Sequence, residues 1–248
     1  MNGGHGIFDH ILFALLLVVP LVEWLWTWPR YLARLASGEP GVRCRFYRAL
    51  VFSEWVPVLS LLGFWAARRR PWSWMLLAGF SPLRVGLGLG SAILLIGVLL
   101  LQRRWILARP ARIEHLRPKL LYAEPLLPHT PAERKLFRVV SVTAGVCEEV
   151  LFRGFLLWYL AVWTGPVAAV ILSSLLFGAG HLYLGFNQAP KAALAGLVFA
   201  ILAVASGSLW PAILLHAAID WNSGDLGYRA LNRGSSLEPE LRASETGT

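Results

Sequence analysis

The chain has 248 residues, of which 56% are hydrophobic and only 15% are charged, and its mean hydropathy is +0.58. Too few charged side chains are present to solvate a globular surface of this size, so composition excludes an ordinary soluble domain. A membrane-spanning helix needs about 20 mainly apolar residues, which leaves room for about seven to eight crossings and little else. We therefore predict an all-α, polytopic transmembrane bundle.

The formal net charge of +9 does not indicate nucleic acid as a partner. The basic residues stand in clusters that flank apolar runs, and they do not form one amphipathic surface. This pattern predicts contact with anionic headgroups of membrane lipids. The two cysteines, Cys44 and Cys147, are far apart in the sequence and form neither a disulfide framework nor a metal-binding spacing.

Seven apolar runs follow one another along the chain, at about residues 7–28, 47–67, 84–102, 136–163, 165–181, 190–207 and 209–222. The first run has neither a basic start nor a small-residue cleavage signature, so it is predicted to remain as a span. The stretch 71–83 is too short to cross and is predicted to lie at the interface or to re-enter the membrane. Glu23 and Glu54 in the first two runs, and Asp9 with His10, lie near predicted membrane interfaces, where we expect them to be solvated or structural.

A polar stretch at about residues 103–135 divides the chain. It contains eight lysine and arginine residues and five prolines, so it cannot form one continuous helix and is predicted to be a cytoplasmic connector. Four crossings from there return the C-terminal tail to the cytoplasm, in agreement with Arg229 and Arg233. We predict N-terminal spans and the basic connector in residues 1–134, a catalytic membrane core in 135–222 and a polar tail in 223–248.

Three charged residues lie together deep in the long apolar run, in the pattern Glu148-Glu149-x-x-x-Arg153. They follow Arg138 by about ten residues, which places them near mid-bilayer at a rise of about 1.5 Å per residue. Glu149 and Arg153 are four residues apart on one helical face, so we predict a structural ion pair. Glu148 points about 100° away, and we predict that it faces a cavity and takes a proton from water. Alternatively, both carboxylates only tie helices together.

Two further patterns place histidines in apolar runs. Phe177-Gly178-Ala179-Gly180-His181 ends the run 165–181, and its glycines would let a neighbouring helix approach closely. In His216-Ala217-Ala218-Ile219-Asp220 the four-residue spacing stacks an imidazole and a carboxylate on one face. Each histidine by itself could be interfacial or structural. Together with Glu148 they can converge on one site, as activation of water requires.

Other interpretations of the same residues remain open. Ser173 and Ser174 have no base of their own, so a serine nucleophile is not expected. A proton-coupled transporter could use the buried ionisable groups as a relay, although its usual pair of related halves is not visible. A catalytically silent immunity-type membrane protein would keep the same motifs.

The three motifs, in this order, resemble those of the CAAX-protease and bacteriocin-processing family of intramembrane proteases, also called the ABI family. The resemblance covers about residues 135–222. It implies an all-helical membrane fold and an endopeptidase acting near the cytoplasmic face of the cell membrane. Its implied substrates are lipidated or membrane-anchored proteins or peptides that are processed near the C-terminus.

The resemblance also implies roles for individual residues. Glu148 with His181 would polarise the attacking water, and His216 with residue 220 would stabilise the oxyanion. In the prenyl-protein proteases that the chain resembles, the residue at that last position is Asn, whereas this chain has Asp220. Asp220 could donate a hydrogen bond only if it is protonated. Alternatively, Glu148, His181, His216 and Asp220 make a plausible zinc set, because imidazole and carboxylate are suitable zinc ligands. The sequence leaves both a zinc cofactor and a cofactor-free, glutamate-activated water open.

Overall fold

The computed structural model describes residues 5–79 and 81–232, and helices are the only regular elements in those ranges. The predicted all-α fold is therefore confirmed. Eight helices follow in chain order: α1 (Ile7–Ala36), α2 (Val42–Ala67), α3 (Pro82–Leu107), α4 (Pro110–Leu120), α5 (Pro131–Glu149, continued by Val150–Leu156 and Leu157–Thr164), α6 (Pro166–Ala179), α7 (Ala189–Ser206) and α8 (Trp210–Asn232).

Four of these helices, α1, α2, α3 and α7, are long and apolar enough to cross a membrane by length and composition. Helix α6 is apolar but shorter, and α5 and α8 carry the charged motif residues. The outward faces of the long helices expose large apolar side chains, among them Phe52, Leu87 and Ile201, which water would not tolerate over so wide an area. The chain is an integral membrane protein, and the number of seven to eight crossings stays a prediction.

Proline and capping residues divide the connector between α3 and α5, as the sequence predicts. Pro110 begins α4. A proline is tolerated at this first position because the backbone N–H that it lacks would have no acceptor within the helix. Thr130 caps α5, since its hydroxyl accepts a hydrogen bond from the backbone N–H of Glu133 at 3.2 Å. The Glu133 carboxylate in turn accepts one from the backbone N–H of Thr130 at 3.1 Å. This reciprocal box fixes where α5 starts and therefore the depth of its motif.

Helix α5 changes its winding directly after the paired glutamates. Residues Val150–Leu156 form π-helical turns, and all seven are buried. Such turns inside α-helices occur frequently at functional sites. The short stretch before α3 packs against them, because Met75 is fully buried and its carbonyl oxygen lies 3.5 Å from where a Cβ on Gly154 would be. That stretch forms the single turn Trp72–Met75 and does not form a crossing helix.

Glycines bring the helices that carry the motifs into close contact. A Cβ on Gly145 of α5 would lie 2.8 Å from the Cβ of Ala217 on α8, so only glycine permits this approach. A Cβ on Gly178 of α6 would lie 2.6 Å from the carbonyl oxygen of Ala189 on α7. The predicted role of Gly178 in close helix packing is thus confirmed. The first approach places the motifs of α5 and α8 side by side, and the second holds α6 against α7.

Helix α8 extends further than the sequence indicates. The polar tail was predicted to begin at residue 223, but α8 continues to Asn232 and residues 224, 225, 227 and 230 are buried. Gly224 and Gly227 allow this, because a Cβ on Gly224 would lie 2.2 Å from the ring of Phe137 and one on Gly227 would lie 2.6 Å from Leu127. The prediction for the rest of the tail, including Arg233, lies outside the described residues.

Candidate active site

The core of the site is an ion pair sealed from solvent. Nη1 of Arg153 lies 3.0 Å from Oε1 of Glu149, and both side chains are fully buried. Nη2 of Arg153 donates a hydrogen bond to the carbonyl oxygen of Gly196 on α7 at 2.9 Å. A Cβ on Gly196 would lie 2.9 Å from that nitrogen, so glycine is required there. The ion pair predicted from the spacing is present, and it also ties α5 to α7.

Glu149 has a second partner that the sequence did not indicate. Nδ1 of His216 lies 2.8 Å from the same Oε1 atom that meets Arg153. An ionised carboxylate can only accept hydrogen bonds, so Nδ1 of His216 must carry the proton. Glu149 therefore sets the protonation of the imidazole and directs Nε2 away from itself.

Nε2 of His216 faces the other two acids of the motifs. It lies 3.6 Å from Oδ2 of Asp220 and 3.9 Å from Oε2 of Glu148. The side chains of Glu148 and Asp220 are 24% and 36% exposed, whereas that of Glu149 is 0% exposed. The two neighbouring glutamates thus lie in different surroundings: Glu149 is enclosed, and Glu148 is open to a reacting molecule.

Two aromatic rings hold the imidazole in place. The ring of Phe199 on α7 stacks on that of His216, with centroids 4.7 Å apart and an angle of 10° between the planes. The ring of Phe177 on α6 meets His216 edge to face at 5.8 Å, and the guanidinium of Arg153 lies 4.2 Å from the centroid of Phe177. The orientation of His216 is therefore fixed by residues from α5, α6 and α7.

His181 lies in the same cluster without touching its carboxylates. It lies within electrostatic range of Glu148, but no ion pair joins the two side chains in the described part of the chain. Nδ1 of His181 bonds to the carbonyl oxygen of Phe177 at 2.8 Å. Because a carbonyl oxygen only accepts, that nitrogen carries a proton and Nε2 is left as the free position. The imidazole nearest to Glu148 is that of His216.

Two acids of the N-terminal helices join the site, and the sequence interpretation missed them. Glu54 on α2 lies within electrostatic range of Glu148, Asp220 and His216, and Glu23 on α1 within range of Glu148. Oε2 of Glu54 is buried and has no hydrogen-bond partner. The expectation that Glu23 and Glu54 lie near membrane interfaces is wrong. Helix α1 continues to residue 36, and α2 already begins at residue 42. Both acids lie in mid-helix.

The described side chains do not form a metal-binding group. Within residues 5–79 and 81–232, no set of three or more His, Cys, Asp or Glu side chains is arranged to hold a metal ion. Nδ1 of His216 is already bonded to Glu149, and His181 stands apart from the carboxylates. The described geometry thus does not bring Glu148, His181, His216 and Asp220 together as one zinc ligand set.

The serines beside the site are occupied in helix packing. Ser173 donates a hydrogen bond to the carbonyl oxygen of Phe152 at 3.0 Å, and Ser174 donates one to that of Val170 at 2.7 Å. Neither hydroxyl is paired with a base. The groups that can move protons here are therefore Glu148, Asp220 and the two imidazoles, a combination suited to activating water.

Comparison with known proteins agrees with this chemistry. The family model described as "Type II CAAX prenyl endopeptidase Rce1-like" matches residues 132–222, which contain all three motifs. No curated protein and no solved structure gives a significant match to the chain.

Proposed function

We propose that the chain cuts peptide bonds with a water molecule activated by Glu148. The proposal is supported by the match of residues 132–222 to the family model of Rce1-like type II CAAX prenyl endopeptidases and by the geometry of the site. The observation that carries the proposal is the position of Nε2 of His216, which faces Glu148 and Asp220 while Glu149 holds the opposite nitrogen. The match to this family model supports the coarser part of the proposal, that the chain is a CAAX-type intramembrane endopeptidase.

Glu148 acts as the general base. Its carboxylate is partly exposed and has no arginine partner, so it is free to accept a proton. When it takes a proton from water, the water oxygen attacks the carbonyl carbon of the scissile bond. The proton then passes to the nitrogen of the leaving amine as the C–N bond breaks, and Glu148 returns to its ionised form. His181 supports the negative charge of Glu148 from a distance.

His216 stabilises the oxyanion of the tetrahedral intermediate. Its Nδ1 proton is committed to Glu149, so Nε2 can donate to the oxyanion only when the ring is an imidazolium. Three nearby carboxylates, of Glu148, Glu149 and Asp220, favour that charged form. The ionised carboxylate of Asp220 accepts a hydrogen bond from Nε2 of His216 between catalytic cycles. When Asp220 is protonated, it donates a second hydrogen bond to the oxyanion.

The substrate and the orientation in the membrane belong to the same proposal. We infer a lipidated or membrane-anchored protein or peptide that is cut near its C-terminus. The chain resides in the cell membrane, with the arginine-rich end of α8 in the cytoplasm. In support, Arg103, Arg134 and Arg138 gather around Asp225 at that end, as the positive-inside rule expects. Asp225 follows His216 by nine residues, so the site lies roughly 15 Å deeper.

The direct test is cleavage of a farnesylated peptide that ends in a CAAX sequence, with the unprenylated peptide beside it. The purified parent protein should release the C-terminal tripeptide, and Glu148→Gln should lower the rate by at least about a hundredfold, because an amide cannot accept the proton of water. Glu114→Gln, an exposed acid on α4, makes the same chemical change elsewhere and should leave the rate unchanged. Full activity of Glu148→Gln would exclude the assigned base.

A chelator separates glutamate-activated water from metal catalysis. The proposed mechanism predicts equal rates before and after extensive treatment with a zinc chelator, followed by elemental analysis of the protein. Loss of activity together with loss of a stoichiometric metal would show that the metal alternative is correct.

A further inference from the structure

A groove runs along the lipid-facing side of the bundle between α3, α5 and α8. Its volume is about 350 Å³, within the range of about 300–1,000 Å³ typical of ligand pockets. Its walls are apolar along most of their length and include Ile96, Leu99, Leu100, Val142, Leu214 and Ala218. Polar side chains appear at one end only, where Arg103 and Asn222 complete the lining.

The groove is separate from the candidate active site. Leu214, Ala217, Ala218 and Trp221 of α8 line it, at the i, i+3, i+4 and i+7 spacing of a single helical face. His216 is two residues from Leu214 and from Ala218, which places it about 160° away around the helix. One face of α8 therefore lines the groove, and the opposite face carries His216 into the candidate active site.

Positive charge is in excess at the polar end of the groove. Arg103, Arg134 and Arg138 all pair with the single carboxylate of Asp225, at 2.8, 2.7 and 3.2 Å. Three guanidinium groups against one carboxylate leave two positive charges without a counterpart within this cluster. The Arg103 side chain lines the groove and belongs to the cluster as well, so the excess charge is located where the apolar walls end.

Hydrogen-bonding capacity is also unused there. Nε of Arg138 and Oδ1 of Asn222 are buried atoms that have no hydrogen-bond partner among residues 5–79 and 81–232. The Arg138 side chain is 36% exposed, the least covered of the three arginines, and its guanidinium lies 5.1 Å from the ring centroid of Trp221. Tryptophan at such a position is typical of the level of lipid headgroups. An anionic group with several oxygen atoms would accept a hydrogen bond from Nε of Arg138, and a hydroxyl of its headgroup could donate one to Oδ1 of Asn222.

We propose that this groove is a binding site for one anionic phospholipid, with an acyl chain between α3, α5 and α8 and the phosphate beside Arg103 and Arg138. Charge complementarity selects the occupant, because two unbalanced guanidinium charges favour a phosphate over a zwitterionic headgroup, whose own cation would be repelled. The apolar walls require an attached hydrocarbon chain, which free phosphate lacks. This site is independent of the proposed hydrolysis.

The test uses the full chain reconstituted in phosphatidylcholine nanodiscs with and without 20% phosphatidylglycerol, followed by native mass spectrometry of the released protein. We expect one phosphatidylglycerol to be retained in preference to phosphatidylcholine. Arg138→Gln should weaken its retention about fivefold, the effect of removing one cation near the membrane surface. Ala218→Leu should weaken it too, since the larger side chain fills the apolar part of the groove.

Two matched controls distinguish a built site from general attraction to the membrane. Arg104→Gln removes the same charge from the exposed arginine next to Arg103 and should leave retention unchanged. Ala205→Leu adds the same volume at an exposed position on α7, away from the groove. Equal retention of phosphatidylcholine, or equal losses for Arg104→Gln and Arg138→Gln, would overturn the proposal. Unfolding temperatures of all four variants identify losses that stem from misfolding.

Discussion

Removing Arg153 should destabilise the bundle far more than removing the proposed base. Arg153→Ala deletes the ion pair with Glu149 and leaves that carboxylate fully buried, with Oε2 unpartnered and only His216 as a donor. Breaking a buried ion pair by removal of one partner costs about 3–5 kcal/mol. The carbonyl of Gly196 also loses its donor, at a further cost of about 1 kcal/mol. Glu148→Gln keeps the shape of a partly exposed side chain and should cost about 1 kcal/mol or less.

Since folded proteins are stable by only about 5–15 kcal/mol, Arg153→Ala should remove a large part of the total. The assay compares the folded yield by size exclusion and the unfolding temperature in one detergent for the parent, Arg153→Ala, Glu148→Gln and Arg104→Ala. Arg104→Ala removes an exposed arginine and is the control for the effect of losing a positive charge alone. Equal yields and unfolding temperatures for Arg153→Ala and Glu148→Gln would refute the structural role of the Glu149–Arg153 pair.

Three further changes test other parts of the structure. Asp220→Asn keeps a hydrogen-bond donor beside His216, so peptidase activity should survive; because it removes one carboxylate that favours the imidazolium, the activity should decline at lower pH than in the parent, and complete loss of activity in a metal-free protein would contradict the donor role. Hydrogen bonds from Arg134 hold the pKa of Asp225, beyond the apolar part of α8, well below its usual range. The ionised carboxylate therefore contributes stability above about pH 4, and this stability is lost as the pH falls towards the lowered pKa. The unfolding temperatures of the parent and Asp225→Asn should therefore converge in acid. A difference that stays constant with pH would contradict this prediction. Glu54→Gln replaces a carboxyl group near Glu148 by an amide that cannot ionise, so the pH–rate profile should change where Glu54 gains its charge, while the unfolding temperature stays within about 2 °C; an unchanged profile would show that Glu54 does not act on the site.

Spacing was sufficient to predict the helical fold and the contacts within single helices. Glu149 and Arg153, or His216 and Asp220, are four residues apart, and any helix brings such pairs together. The contact between Glu149 and His216 could not be predicted in the same way. It depends on the close approach of α5 and α8, which Gly145 permits and which no local pattern reveals.

The acids of the N-terminal helices show a different kind of failure. Hydropathy ends a run where charged residues begin, so basic residues such as Arg43 and Arg45 shortened the predicted second run. Glu54 then lay closer to the predicted start of that run and was assigned to a membrane interface, although it lies in the middle of α2. A charged residue within an apolar run is functional by default, and that rule alone would have identified Glu54 had the helix bounds been correct.

The adjacent glutamates show how one short motif can both build a site and operate it. Oε1 of Glu149 is enclosed between Arg153 and His216 and meets both donors, so this side chain is committed to holding the two partners in place. Glu148, one residue earlier, is turned by about 100° towards the open side. It shares Nε2 of His216 with Asp220 and has no fixed cation. The enclosed acid fixes which nitrogen of His216 can meet a substrate, and the open acid is left to take the proton. Exchanging their surroundings would therefore abolish activity even though both carboxylates were still present.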